Sequence, residues 1–238
     1  MMGQRRPSAI QPEGRVRMFR IKICGITTTH GALSAAEAGA DAIGLNFCAQ
    51  SPRCIDLATA RSITPSVPPH VAKVGVFVNE PVERLIAIAD ALALDFIQLH
   101  GDEPPRELAE LAPRPVIRAF RLSGDLEPLL TYLRTCRALG HLPRAALIDA
   151  HTPGTYGGTG KTANWGKVRD FQHCVGAVPV VLAGGLTPEN VAEAIARARP
   201  AAVDVASGVE VAPGQKDAVR MRGFVEAARR AWQVLAAS

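Results

Sequence analysis

The chain has 238 residues, of which 47% are hydrophobic and 21% charged, with a net charge of +5. No apolar run approaches the roughly 20 residues needed to cross a bilayer, so a soluble protein is expected. The basic residues are scattered and only 5% of residues are aromatic, so a nucleic-acid surface is also disfavoured. The charge is better explained by a small anionic substrate.

The N-terminal residues 1–17 are basic but lack the apolar core of a secretory signal, and we predict a flexible extension there. The five cysteines are an odd set without a CxxC pair, which argues against a disulfide framework and a structural zinc site. A cytoplasmic protein is therefore expected. Residues 18–238 are predicted to form one domain.

Short β-branched runs alternate along the whole chain with Ala- and Leu-rich segments of helical period. A single series of βα units without a switch-point motif favours a closed (β/α)₈ barrel over an open doubly wound sheet. Barrel enzymes carry their chemistry at the carboxyl ends of the strands, so polar residues there become candidates. The predicted strands are residues 19–24, 41–47, 72–78, 95–100, 115–120, 145–149, 179–183 and 201–206.

Two helix starts carry a side-chain acceptor followed by proline. Asn79 stands before Glu80-Pro81, and Thr187 before Pro188. Both residues are predicted to cap the helices that follow strands 3 and 7.

The first strand ends in Lys22-Ile23-Cys24, and strand alternation puts Lys22 and Cys24 on the same face. A free thiol has a pKa of about 8.5, so a nearby cation would raise its thiolate fraction and make Cys24 a usable base. The alternative for Cys24 is a small buried apolar side chain.

Strands 2 and 4 contribute candidates for substrate binding. Arg53, in the loop after strand 2, has the geometry to hold a carboxylate in a bidentate pair, or it is a solvated loop arginine. Gln98 and His100 end strand 4 and point the same way. His100 would hydrogen-bond substrate, or else pack as a satisfied histidine.

Asp149 ends the sixth strand, after an apolar run and before a long irregular loop. A carboxyl group at a partly desolvated barrel mouth can donate a proton in catalysis. Aspartate at such a position also caps loops by bonding the backbone two residues on. The sequence leaves both roles open.

The loop after strand 6 covers residues 150–163 and is glycine-rich. A nucleotide P-loop would need glycine five positions before Gly160-Lys161, where Thr155 stands instead. A loop of this length is usually functional, and we predict a lid in which Gly157, Gly158 and Gly160 allow closure and Lys161 approaches an anion.

Two glycine turns follow the last two strands, Gly184-Gly185 and Ser207-Gly208. In barrels these loops commonly bind a phosphate through backbone N–H groups, although ordinary tight turning is the alternative. Asp204, at the end of strand 8, would orient a sugar hydroxyl or cap the following turn. Metal-site histidine spacing and GxGxxG are absent from the sequence, so we expect neither metal nor cofactor.

Several segments together resemble those of phosphoribosylanthranilate isomerases, and they occur in the expected order across nearly the whole barrel. KICGIT at the first strand and VDVASGVE at the last are the specific ones. The matching segments are residues 22–27, 39–47, 51–53, 74–79, 98–103, 147–165, 183–191, 203–210 and 213–217.

The resemblance implies a tryptophan-pathway enzyme that converts N-(5-phosphoribosyl)anthranilate into 1-(2-carboxyphenylamino)-1-deoxyribulose 5-phosphate by an Amadori rearrangement without a cofactor. It places the family's catalytic cysteine on Cys24 and its catalytic aspartate on Asp149. The arginine that holds the anthranilate carboxylate falls on Arg53. The phosphate loops fall on Gly184-Gly185 and Ser207-Gly208.

Two other functions remain to be separated from this one. The isomerase of histidine biosynthesis performs the same rearrangement on an aminoimidazole carboxamide substrate, and a dual-substrate enzyme would combine both. A barrel that only binds a phosphosugar would need the glycine turns, but not Cys24, Asp149 and Arg53 together. The sequence leaves monomer and homodimer open.

Overall fold

The computed structural model describes residues 18–122, 125–149 and 165–237. Eight parallel strands close into a barrel in chain order, because β8 pairs with β1. This confirms the predicted architecture, and every strand overlaps its predicted run. The strands are β1 (Ile21–Cys24), β2 (Ala42–Asn46), β3 (Ala72–Phe77), β4 (Phe96–Leu99), β5 (Val116–Arg121), β6 (Ala145–Asp149), β7 (Val180–Ala183) and β8 (Ala202–Val205).

Helices surround the barrel and bury their apolar faces against it. In α7 the buried residues Val191, Ala194, Ile195 and Ala198 recur at helical spacing and form one stripe. The helices are α1 (Thr29–Glu37), α2 (Leu57–Ile63), α3 (Val82–Ala91), α4 (Arg106–Glu110), α5 (Glu127–Ala138), α6 (Trp165–Val175), α7 (Val191–Ala198) and α8 (Ala218–Ala237). None of the helices in the described ranges is both long and apolar enough to cross a membrane.

Three short elements follow β8. A 3₁₀ turn covers Ser207–Val209, and an antiparallel pair of strands follows, β9 (Glu210–Ala212) and β10 (Gln215–Lys216). A second 3₁₀ turn, Thr64–Ser66, follows α2. The segment after β8 therefore continues beyond the barrel and brings Glu210 and Lys216 to one place.

The predicted helix caps at Asn79 and Thr187 are wrong. Asn79 has a φ of 51°, and its Oδ1 accepts a hydrogen bond from the Asp102 N–H at 2.7 Å. It therefore joins the loops after β3 and β4 instead of capping α3. The first turn of α7 begins after Asn190, while the Thr187 hydroxyl accepts from the Glu189 N–H at 3.3 Å.

Candidate active site

Cys24 and Lys22 lie side by side at the end of β1, as strand alternation predicts. Gly44 on β2 makes room for both: a Cβ there would lie 2.6 Å from the Cys24 Sγ and 3.1 Å from the Lys22 Cε. Any side chain at position 44 would therefore displace the thiol. The half-buried thiol remains at the carboxyl end of the barrel.

Lys22 is fully buried, and its Nζ lies 2.9 Å from the Asp204 Oδ1 on β8. Burial lowers the pKa of Lys22, but the charges of Asp204 and Cys24 outweigh it and leave the pKa above its ordinary value. The ammonium thus stays charged. Asp204 is the buried partner of Lys22 and does not cap the following turn, and its contact with a sugar hydroxyl stays a prediction.

Burial raises the pKa of the Cys24 thiol above its ordinary value, against the opposing effect of the Lys22 charge. The cation expected beside the thiol is present, but burial outweighs it. The free protein therefore holds Cys24 mainly as the protonated thiol at neutral pH, and only a minority as thiolate.

Arg53 is neither free nor simply solvated. Its Nε and Nη2 donate to the Glu210 carboxylate at 2.8 and 2.6 Å, and its stem lies over Gly25, which has a φ of 78°. Lys216 donates to the same carboxylate at 2.7 Å. Burial raises the pKa of Glu210, but the bonds from Arg53 and Lys216 bring it below its ordinary value. The carboxylate thus holds Arg53 in one orientation.

Glu210 and Lys216 were not among the residues singled out from sequence, although both lie in segments that carry the family resemblance. Arg53 and Glu210 are 157 residues apart. Only the folded barrel shows that the loop after β2 meets the segment after β8.

Gln98 and His100 face the same way, as predicted, and His100 lies near Asp149. The Gln98 Nε2 lies 3.3 Å from the His100 Nδ1, and the His100 Nε2 lies 3.9 Å from the Asp149 Oδ2. Burial lowers the pKa of His100, so the imidazole is neutral at neutral pH. With the Gln98 amide donating to Nδ1, the ring proton sits on Nε2 and faces the Asp149 carboxyl group.

A buried ion pair holds the loop that begins at His100. Glu103 is 2% exposed and accepts from the N–H groups of Asn79 and Gly101 at 2.9 Å each. Arg118 on β5 donates to Glu103 at 3.1 Å and to the Gly101 carbonyl at 2.9 Å. These bonds fix the backbone next to His100, and no local sequence pattern predicts them.

Replacing Glu103 with alanine is expected to lower the free energy of unfolding by about 3–5 kcal/mol, because the buried Arg118 would lose its counter-charge and two buried backbone N–H groups would lose their acceptor. Urea unfolding measures this loss. Glu127→Ala, which breaks an exposed pair with Arg134, is the matched control and should cost less than about 1 kcal/mol. Equal losses for the two variants would contradict the role given to Glu103.

The two glycine turns after β7 and β8 meet each other. Gly184 and Gly185 have φ values of 90° and 65°, which glycine adopts without strain. A Cβ on Gly208 would overlap the Leu186 carbonyl oxygen, so the 3₁₀ turn that contains Ser207 and Gly208 packs directly on the loop after β7. The turns therefore form one surface at adjacent strand ends, where the phosphate site is predicted.

Gly208→Ala is expected to raise KM about tenfold, the equivalent of 1.4 kcal/mol of lost binding, because the added methyl group forces the two turns apart. Steady-state kinetics with the phosphorylated substrate measure it. Gly223→Ala on α8 is the control, since its Cβ would make an ordinary contact of 3.6 Å with Pro188 and KM should not change. An unchanged KM in Gly208→Ala would argue against a phosphate site there.

Two sequence-based predictions fall on other parts of the chain. The lid residues Gly157, Gly158, Gly160 and Lys161 lie outside the described residues, as does the extension 1–17. Both predictions stay untested.

Comparisons with known proteins identify the family of this chain. The family model of N-(5'-phosphoribosyl)anthranilate (PRA) isomerase matches residues 21–227. A relative named N-(5'-phosphoribosyl)anthranilate isomerase, from Geobacter sulfurreducens, is 46% identical over 215 residues, covering 89% of this chain and 99% of the relative.

Two solved structures have a TM-score of 0.76 and 38% identity, each covering 90% of this chain and 100% of its own. One is a phosphoribosyl anthranilate isomerase in complex with reduced 1-(o-carboxyphenylamino)-1-deoxyribulose 5-phosphate. The other shows monomers generated from a dimeric phosphoribosylanthranilate isomerase of Thermotoga maritima. The chain therefore belongs to the N-(5'-phosphoribosyl)anthranilate isomerase family.

Proposed function

We propose that this isomerase of tryptophan biosynthesis rearranges N-(5-phosphoribosyl)anthranilate with Cys24 as general base and Asp149 as general acid. The observation that carries the assignment is their placement. Cys24 ends β1 and Asp149 ends β6, so a proton donor and a proton acceptor stand at the same barrel mouth.

The surrounding groups are suited to the two ends of the substrate. The joined turns at Gly184-Gly185 and Ser207-Gly208 present backbone N–H groups for the phosphate. Arg53 uses Nε and Nη2 on Glu210, which leaves Nη1 outside that pair to meet the anthranilate carboxylate. The ribose would then lie between these sites, within reach of the acid and the base.

In the first step the Asp149 carboxyl group gives its proton to the ring oxygen of the ribose. The C1′–O bond breaks, and the lone pair of the anthranilate nitrogen forms the C=N bond of an open-chain Schiff base. The neutral His100 directs an N–H toward Asp149, with its Nε2 3.9 Å from the Asp149 Oδ2, and the dipole of this group favours the carboxylate left after proton transfer.

In the second step the Cys24 thiolate removes the proton from C2′. The electron pair moves into the C1′–C2′ bond and on to the iminium nitrogen, giving an enolamine. The enolamine then becomes the ketone: its C2′ hydroxyl loses a proton to the Asp149 carboxylate and C1′ gains one from the Cys24 thiol, which returns both residues to their starting states. Atoms and electrons balance without an oxidant, a reductant or a metal ion.

Substrate choice tests the proposed function against the histidine-pathway alternative. The purified protein should convert phosphoribosylanthranilate, which is followed as a decrease in its fluorescence. It should leave the aminoimidazole carboxamide substrate unchanged. Turnover of both compounds would show the dual-substrate enzyme. If neither compound is turned over but phosphoribosylanthranilate still binds, the protein is the non-catalytic barrel that only binds a phosphosugar. The cytoplasmic location and the choice between monomer and homodimer stay predictions.

A further inference from the structure

Lys22 is the one lysine that the described strands bury completely, with 0% of its side chain exposed. Removing an ammonium from water is costly, and such a group is retained only where it has a partner or a task. An ion pair with Asp204 accounts for its charge. The ion pair alone does not explain why a buried cation lies beside Cys24, the residue assigned as the base.

The geometry around Lys22 supplies a second neighbour. A Cβ at Gly44 would lie 3.1 Å from the Lys22 Cε and 2.6 Å from the Cys24 Sγ, so both side chains pack against this glycine. The Nζ and the Asp204 Oδ1 are 2.9 Å apart. An ammonium has three N–H groups, so donors remain beside the one that faces Asp204.

We propose that Lys22 is a positioning residue for catalysis: its buried ammonium, held in place by Asp204, stabilises the thiolate form of Cys24. The inference rests on the proposed function only in naming Cys24 as the base. Lys22 itself does not touch the substrate in this assignment.

Within residues 18–122, 125–149 and 165–237, four charged groups interact with the thiol from the elements around it. They are Lys22 on β1, Asp204 on β8, Lys216 on β10 and Arg53 in the loop after β2. Lys216 and Arg53 already share one carboxylate partner. Lys22 has the strongest effect in lowering the Cys24 pKa, and that effect exceeds the opposing one of Asp204. Without the charge of Lys22, the pKa of Cys24 would be higher still.

The test is the titration of Cys24 in the ligand-free protein. The rate of iodoacetamide alkylation is followed against pH, and mass spectrometry of the Cys24 peptide separates it from the other four cysteines. In Lys22→Met the midpoint should rise by about one pH unit or more, which is about tenfold less thiolate at neutral pH. Lys73→Met removes the same charge near the start of β3, at the opposite end of the barrel, and should leave the midpoint unchanged.

A second variant is used if Lys22→Met does not fold because Asp204 is left buried without its partner. In Lys22→Met/Asp204→Asn both charges are removed, and the midpoint should rise by less than in the single variant. In Lys22→Met kcat should fall while KM changes less than about twofold, since the phosphate and carboxylate sites and Asp204 are unaltered. An unchanged midpoint in a folded variant overturns the inference and leaves Lys22 a structural ion pair.

The titration needs no turnover, so the two proposals fail separately. If the wild-type protein does not isomerise phosphoribosylanthranilate but Lys22→Met shifts the midpoint, the proposed function fails and the effect of Lys22 on the thiol stands. If the wild type isomerises and the midpoint does not move, only the role of Lys22 fails.

Discussion

Replacing Cys24 with alanine is expected to lower kcat by on the order of 10²- to 10⁴-fold, because the variant has no group in place to remove the C2′ proton. KM should change little, since the phosphate turns and Arg53 remain. The decrease of phosphoribosylanthranilate fluorescence measures both constants.

The chain offers a matched control in Cys174, an exposed free cysteine on α6. Cys174→Ala removes a thiol of the same size and should keep the wild-type rate. Full activity in Cys24→Ala would leave the isomerase assignment standing and remove the proposed base.

Asp149→Asn should lower kcat to a similar extent, because an amide of the same shape cannot give a proton to the ring oxygen. The same fluorescence assay measures it. Asp170→Asn on α6 is a control for loss of one carboxylate and should not change the rate. Wild-type kcat in Asp149→Asn would assign ring opening to another group.

The double variant Cys24→Ala/Asp149→Asn is expected to lose less activity than the two single losses multiplied. An acid and a base that serve the same sequence of steps act as a unit, so the second removal costs less once the first is made. Fully multiplicative losses would show that the two residues act independently.

The barrel could be predicted because its strands are short apolar runs bounded by turn residues, which is how strands buried on both faces are encoded. The positions of Cys24, Asp149, Gly184-Gly185 and Ser207-Gly208 followed from the rule that chemistry lies at the carboxyl ends of the strands. Local rules were also sufficient to place Lys22 beside Cys24. In these respects sequence and structure agree.

What could not be predicted depends on contacts between distant parts of the chain. The carboxylate of Glu210 reaches Arg53 only because the barrel closes, and the balance of burial against charge at Cys24 depends on Asp204 from the last strand. Asn79 looked like a helix cap because its local sequence fits one. In the folded protein its side chain instead accepts a hydrogen bond from the loop after β4.

The division of labour between acid and base is tested most directly by trapping the open-chain Schiff base. Phosphoribosylanthranilate is incubated with each variant and cyanoborohydride, which adds hydride to C1′ of the iminium, and the reduced adduct is measured by mass spectrometry. Cys24→Ala retains the acid, so it should open the ring and give adduct well above the level without protein. Asp149→Asn should stay at that level. Adduct from Asp149→Asn but not from Cys24→Ala would contradict the roles assigned to the two residues.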